Sequence, residues 1–272
     1  MSTATTGERT RVEVDDHVAV VTLTRPEKHN ALDAAMFEGI VAAAAEVAAT
    51  PGVRAVVLHG EGKSFCSGLD VASFMASGDG VAGFNVLKDR EGPRDANLAQ
   101  RVATDWLDLK VPVIAAIHGN CFGGGLQIAL GADIRIAAPD AVLSVMEVRW
   151  GLVPDMGITQ VLPHIVRLDV AKELTFTGRR VSGTEAQELG LVTRVAADPL
   201  AAARELAAEI AGRSPDSVRA AKRLYGETWP APAADALVLE TELQTSLMGS
   251  PNQLAAVVAG LSNQPAEFTD PD

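Results

Sequence analysis

Two carboxylates, one amide and two glycine-bearing turns carry the chemistry this sequence can do. Glu147 and Asp155 lie in the segment Met146-Glu147-Val148-Arg149-Trp150-Gly151-Leu152-Val153-Pro154-Asp155-Met156-Gly157. They are eight residues apart, too far to share one face of a short helical turn. Gly151 and Pro154 break the chain between them, so it can double back and offer both carboxylates to one cleft. Two carboxylates flanking a substrate form an acid/base pair; without context they equally describe a solvated glutamate and a helix-capping aspartate. The first turn is Lys63-Ser64-Phe65-Cys66-Ser67-Gly68-Leu69-Asp70, and the second runs from His118 through Gly123-Gly124-Gly125 to Leu126-Gln127-Ile128-Ala129-Leu130. Three glycines between a strand and an apolar helix let backbone N–H groups approach a ligand, and the helix N-terminus adds partial positive charge. Such a turn suits an anion or a developing oxyanion, although glycine serves tight packing as well.

Nucleotide fingerprints do not fit either turn. Gly123-x-Gly125 is followed by Leu126, Gln127 and Ile128, so no G-x-G-x-x-G/A motif forms. Gly62-Lys63-Ser64 imitates the end of a phosphate loop, but the required first glycine falls at Val57. Cys66 and Cys121 flank the two turns without a His–Asp partnership that would activate a thiol. The five histidines (17, 29, 59, 118, 164) form no metal-ligand spacing, so no metal is expected.

The elements that must position these residues alternate. Val18 to Thr24 reads as a strand, and Asp33 as the N-cap of an apolar-faced helix that Pro51-Gly52 ends. Arg54 to His59, Val113 to Ile117, Asp133 to Ala137 and Val142 to Val145 read as further strands, with a glycine-rich helix start after Gly119. Residues 76 to 97 are the least regular stretch, and a loop of that length in a compact domain is usually functional. Beyond Asp198-Pro199 the chain turns alanine-rich and helical over 200–212, 216–225 and 235–248. The sequence therefore predicts an α/β body over residues 1–199 and a helical tail over 200–272.

The 272 residues, 47% hydrophobic and 21% charged, suit a globular chain with a substantial core. A net charge of −12 excludes a general nucleic-acid binder, which needs a basic surplus; an anionic ligand must find its cations locally. No run of about 18 apolar residues spans a membrane, and residues 1–8 lack the features of a signal peptide. A cytoplasmic location is the resulting expectation.

Together, Arg25-Pro26-Glu27-Lys28-His29-Asn30-Ala31-Leu32, the Phe65 to Asp70 turn and the Gly119 to Gly125 segment resemble the crotonase (enoyl-CoA hydratase/isomerase) superfamily. Glu147 to Gly157, Leu174 to Arg179 and Ala186 to Val195 extend the resemblance. It implies a spiral of ββα units with a C-terminal helical oligomerisation subdomain, and a homotrimer or a dimer of trimers. It also implies an acyl-CoA thioester substrate, with coenzyme A as part of the substrate and no separate cofactor. By position, the backbone N–H groups of Leu69 and Gly124 form the oxyanion hole. Cys66, Ser67, Gly68, Asp70, Val71, Ala72 and Gly123 line the substrate site by the same resemblance. Arg25, Lys28 and Lys63 are candidate cations for the nucleotide, and Trp150 with the 76–97 loop shapes the acyl pocket.

The sequence departs from the hydratases of this family at one position. They carry a glutamate on the glycine-rich helix and a second twenty residues later; here the two are Gln127 and Glu147. Gln127 can hold a water but cannot take its proton, and as a buried amide it needs partners of its own. The Glu147 to Gly157 pattern is similar to dienoyl-CoA isomerases, although those carry an aspartate at the position of Gln127. The expectation is double-bond isomerisation with Glu147 and Asp155 as base and acid, in an order the sequence leaves open. Its alternatives are a hydratase with an altered site and a non-catalytic acyl-CoA binder.

Overall fold

A computed structural model describes residues 3–76, 87, 89–92, 94–229 and 231–271. Its strands are β1 (Thr3–Thr6), β2 (Thr10–Asp15), β3 (Val18–Leu23), β4 (Ala55–Gly60), β5 (Arg90–Glu91), β6 (Ala96–Asn97), β7 (Val113–Ile117), β8 (Asn120–Phe122), β9 (Ile134–Ala137), β10 (Val142–Ser144), β11 (Val181–Ser182) and β12 (Arg194–Val195). The main sheet has the order β1-β2-β3-β4-β7-β9-β12; β8, β10 and β11 form a second sheet, and β5 pairs with β6. From β3 to β12 every neighbouring pair of the main sheet is parallel. Parallel neighbours need crossovers, which the helices supply.

The first half of the chain contributes helices α1 (Ala34–Ala49), α2 (Val71–Ala76), α3 (Leu98–Asp108) and α4 (Gly124–Leu130). Short helices α5 (Leu162–Ile165), α6 (Leu168–Thr177) and α7 (Gly183–Glu188) follow. The chain closes with α8 (Pro199–Ala211), α9 (Pro215–Thr228), α10 (Ala233–Leu247) and α11 (Pro251–Ser262). Asp33 caps α1 as the sequence predicts, accepting from the Met36 N–H at 2.9 Å. Asn97 and Gln100 form a reciprocal capping box on α3, which the sequence reading did not anticipate.

Alternation of side chains along each strand splits the main sheet into two buried faces. Val21, Leu23, Val56, Leu58, Val113, Ala115 and Ile117 join α1, α3 and α4 in the larger core. Val20, Ala55, Val57, Ile114, Ala116 and Ile136 face Ala203 and Ala207 of α8 on the other side. The small side chains of α8 let it lie close on the sheet. α8 therefore packs on the sheet, and α9 reaches the body as well, where Lys222 donates to the Trp106 and Val111 carbonyls and pairs with Asp133 at 2.8 Å.

The glycine-rich helix begins later than the sequence suggests. β8 intervenes after Gly119 and pairs in parallel with β10, so α4 opens at Gly124. A three-residue strand is too short to show a periodicity. Within the stretch 76–97, residues 77–86, 88 and 93 lie outside the described residues, so the loop expected there is described only at its ends. No described helix is long and apolar enough to cross a membrane.

Candidate active site

Three chain segments converge to build the first half of the site. Asn30 holds the 61–65 turn with its side-chain amide, which donates to the carbonyls of Glu61, Ser64 and Phe65 at 2.8–3.1 Å. Its oxygen accepts from the Arg25 N–H at 2.9 Å. One residue later, Cys66 bridges in parallel to Cys121, its N–H reaching the Asn120 carbonyl and its carbonyl taking the Phe122 N–H. The Arg25–Leu32 motif thus pins the first glycine turn against the second.

Leu69 bridges to Leu32 through its neighbours: Leu32 donates to the Gly68 carbonyl, and Asp70 donates to the Leu32 carbonyl. This pattern turns the Leu69 N–H away from the bridge. The Gly124 N–H belongs to the first residue of α4, where no carbonyl lies a turn behind it. Among the described residues neither N–H has an acceptor in the chain. Glycine is needed to bring the two turns this close. A Cβ at Gly68, whose φ is +85°, would sit 2.7 Å from the Phe122 carbonyl oxygen and 3.6 Å from the Gly124 nitrogen. One at Gly125 would meet the Cys66 carbonyl oxygen at 2.3 Å. Two unpaired N–H groups on adjoining turns, one at a helix N-terminus, are the donors an oxyanion requires.

Glu147 begins a 3-10 turn that Gly151 ends in the left-handed conformation at φ +72°. Its carboxylate lies over Gly123, where an added Cβ would stand 3.4 Å from Oε1. Glu147 Oε1 accepts from Gln127 Nε2 at 2.6 Å, while Gln127 Oε1 accepts from the Met156 N–H at 2.8 Å. Because a backbone N–H can only donate, it fixes which end of the amide faces Glu147. Glu147 Oε2 is buried and has no partner among the described residues. Burial foremost pushes the Glu147 pKa above its ordinary value; bonds from its own backbone and from Gln127 oppose this, and the nearby charge of Asp155 adds to it.

Asp155 stands exposed at the rim, its carboxylate meeting its own backbone N–H but no other side chain among the described residues. Its surroundings still raise its pKa, because partial burial disfavours the charged form. The chain doubles back between the two carboxylates as the Gly151 and Pro154 breaks suggest, and both line one cavity of about 390 Å³. Ser67, Gly68, Leu69, Val71, Gly123, Gly124 and Trp150 share that wall. Sequence reasoning missed Phe37, Met146, Leu152, Val153 and Met156, which supply much of its apolar lining. No motif marks them, since they are ordinary apolar residues gathered by folding.

The remaining candidates lie outside the cavity wall. Arg25 is buried, pairing with Asp70 at 2.8 Å and donating to the Ala31 carbonyl at 3.0 Å, so its charge is spent inside the protein. Asp70 also accepts from the Ser73 N–H and hydroxyl, and its pKa falls to about 2 because these bonds and Arg25 outweigh burial. These two residues brace the turn. Gln127 acts behind Glu147, while Lys28, Lys63 and Ala72 are exposed on the surface nearby. Cys66 is fully buried, and burial pushes its thiol up to about 12. Cys121 is shifted upward for the same reason. Neither thiol is poised as a nucleophile.

An apolar cavity with two unpaired N–H donors at one wall and two raised-pKa carboxylates at another is an arrangement that can stabilise a developing oxyanion while protons move. The chain belongs to the enoyl-CoA hydratase/isomerase family, whose model matches residues 13–268. It is 38% identical over 86% of its length to YngF of Bacillus subtilis (strain 168), a protein named provisionally as an enoyl-CoA hydratase/isomerase, and covers 83% of that protein. It is also 38% identical over 76% of its length to the mitochondrial Delta(3,5)-Delta(2,4)-dienoyl-CoA isomerase of Rattus norvegicus, of which the match spans 64%. The crystal structure of an enoyl-CoA hydratase from Bacillus anthracis superposes with a TM-score of 0.85 at 29% identity, covering 96% of this chain and 99% of that one.

Proposed function

We propose that the protein shifts a double bond within an enoyl- or dienoyl-CoA, with Glu147 and Asp155 as the proton-handling pair. The observation that carries this reading is the use made of Gln127. Its amide is committed at both ends, to Glu147 and to the Met156 N–H, so it offers no second base for a water. The other carboxylate on the cavity is Asp155. In this reading the thioester carbonyl accepts from the N–H groups of Leu69 and Gly124. One carboxylate removes a proton from the acyl chain to give an enolate, and the other donates a proton further along the chain. The product is an isomer, and the pair resets by exchanging protons with solvent. Coenzyme A enters as part of the substrate, without a separate cofactor or metal.

A hydratase with an altered site is the second reading, favoured by the likeness to the Bacillus anthracis enzyme. Incubation with crotonyl-CoA and with a 3,5-dienoyl-CoA, followed through the conjugated thioester absorbance, separates the two. Isomerisation predicts turnover of the dienoyl thioester that falls in Asp155→Asn. Rapid hydration of crotonyl-CoA, undiminished in that variant, would overturn the isomerase reading, and binding with no proton exchange would leave a non-catalytic binder. We further propose a cytoplasmic homotrimer or dimer of trimers. Support comes from the helical tail, whose Leu237, Val238, Leu254, Val258 and Leu261 are exposed on a single chain.

A further inference from the structure

Beyond Asp155 the character of the wall changes. Asp155 lines a second cavity of about 340 Å³ on its other side, together with Arg90, Arg94, Gln100, Thr104, Thr159 and Gln160. The two cavities adjoin at Asp155, which lines both, and the neighbouring residues Ala99 and Gln100 line one each. The first cavity is bounded chiefly by hydrocarbon, whereas the second presents two guanidinium groups and a set of neutral hydrogen-bonding side chains. Asp155 is the sole carboxylate in that lining among the described residues.

Both arginines keep donors in reserve. Arg90 gives Nη1 to the Asp95 carbonyl at 2.6 Å and meets no carboxylate among the described residues. Arg94 forms an ion pair through Nε with Asp108 at 2.8 Å and gives Nη1 to Gln160 at 3.4 Å, with Nη2 uncommitted among the described residues. Neither is paired with Asp155, so the cavity's own carboxylate does not neutralise them. Arg94 also borders a further cavity that carries Lys110, Arg219 and Lys222 beside Asp108, Asp216 and Glu227; Lys222 is paired there with Asp133, and Arg219 Nε is buried without a partner among the described residues. A guanidinium's planar fork matches a carboxylate in two parallel bonds.

We infer that the Arg90–Arg94 cavity is a subsite for a carboxylate at the far end of the acyl chain, so that CoA monothioesters of dicarboxylic acids are preferred over plain fatty acyl thioesters. The inference deepens the proposed function and rests on its reading of the first cavity as the acyl pocket. A group arriving through that pocket is attached to the acyl chain, which makes a terminal carboxylate the fitting anion. Asp155 then stands between the reacting carbons and the terminal group, where it can serve the distal carbon.

Calorimetric binding of saturated thioesters tests this without any turnover. For chain lengths of six to twelve carbons, the monothioester of the dicarboxylic acid is compared with the monocarboxylic thioester of equal length. A preference of about tenfold for the dicarboxylic ligand is expected at one length or more, falling as salt rises. The ratio of the two affinities, which cancels any general loss of folding, should drop toward one in Arg90→Gln and in Arg94→Gln. Equal or weaker dicarboxylic binding at every length overturns the subsite while leaving the acyl pocket standing. A preference unchanged in both variants overturns it as well. Failure of both ligand types to bind sinks the acyl-pocket reading itself.

Discussion

The two walls of the site are made by different means. The donor wall is main chain: Leu69 and Gly124 offer N–H groups fixed by parallel bridges at Leu32–Leu69 and Cys66–Cys121. The carboxylate wall is side chain, carried on an irregular stretch from a 3-10 turn at Glu147 to a rim residue at Asp155. The first depends on close backbone approach and so on the glycines at 68 and 125 that permit it. The second depends on single atoms, above all the partnerless Oε2 of Glu147. Within that second wall the carboxylates differ again, because Glu147 is held by Gln127 and Asp155 has no side-chain partner. Main-chain donors fail together when a glycine beside them is filled, whereas an acid/base pair can be retuned one residue at a time.

Substitutions that attack each wall should rank accordingly. Gly125→Ala forces a Cβ into a contact of 2.3 Å with the Cys66 carbonyl oxygen and must part the two turns. A loss of turnover of roughly 1000-fold or more is expected, since one lost oxyanion donor alone costs roughly 100- to 1000-fold. Thioester binding by calorimetry and the thermal melt should both report the damage.

Glu147→Gln removes a proton carrier while keeping its shape, so kcat should fall on the order of 1000-fold. Because burial raises its pKa, ionised Glu147 opposes folding: the stability it grants below the ordinary carboxylate pKa is lost as pH rises through its higher folded value. The variant should therefore keep or raise Tm at pH 7. A marked fall in Tm would count against the buried-charge account. Asp155→Asn should cost about 100-fold in kcat with less change in KM, measured on a dienoyl thioester.

The smallest effect is expected behind the wall. Gln127→Leu deletes a hydrogen bond that favours ionised Glu147, so the Glu147 pKa should climb further. The acidic limb of kcat/KM should shift to higher pH, with about a tenfold loss of rate on that limb. An unmoved limb would mean that Glu147 is not the group that must ionise.

Much of this was legible in the chain itself. The β-branched runs and the Asp33 cap placed most of the parallel strands and α1, and the glycine turns with Glu147 and Asp155 named the two walls. The roles of Arg25 and Asp70 were not legible. A cation near a glycine turn looks like a ligand for an anion until its burial and its 2.8 Å carboxylate partner are seen. The same holds for Gln127, whose partners Glu147 and Met156 are 20 and 29 residues away in sequence. Short strands such as β8 carry too few residues to reveal a period.

The sequence by itself determined which groups could do chemistry: the glycines that permit close backbone approach, the two carboxylates, and an amide where a third carboxylate could have stood. Local rules suffice for that, because residue type and spacing set what a turn can adopt and what a side chain can donate. Tertiary structure alone decided which of those groups meet. It buried Arg25 against Asp70, brought Leu69 and Gly124 to one cavity, left Glu147 Oε2 without a partner among the described residues and set Asp155 where two cavities adjoin. Burial and partnership are properties of distant segments brought into contact, and they fix the charge states on which the chemistry depends.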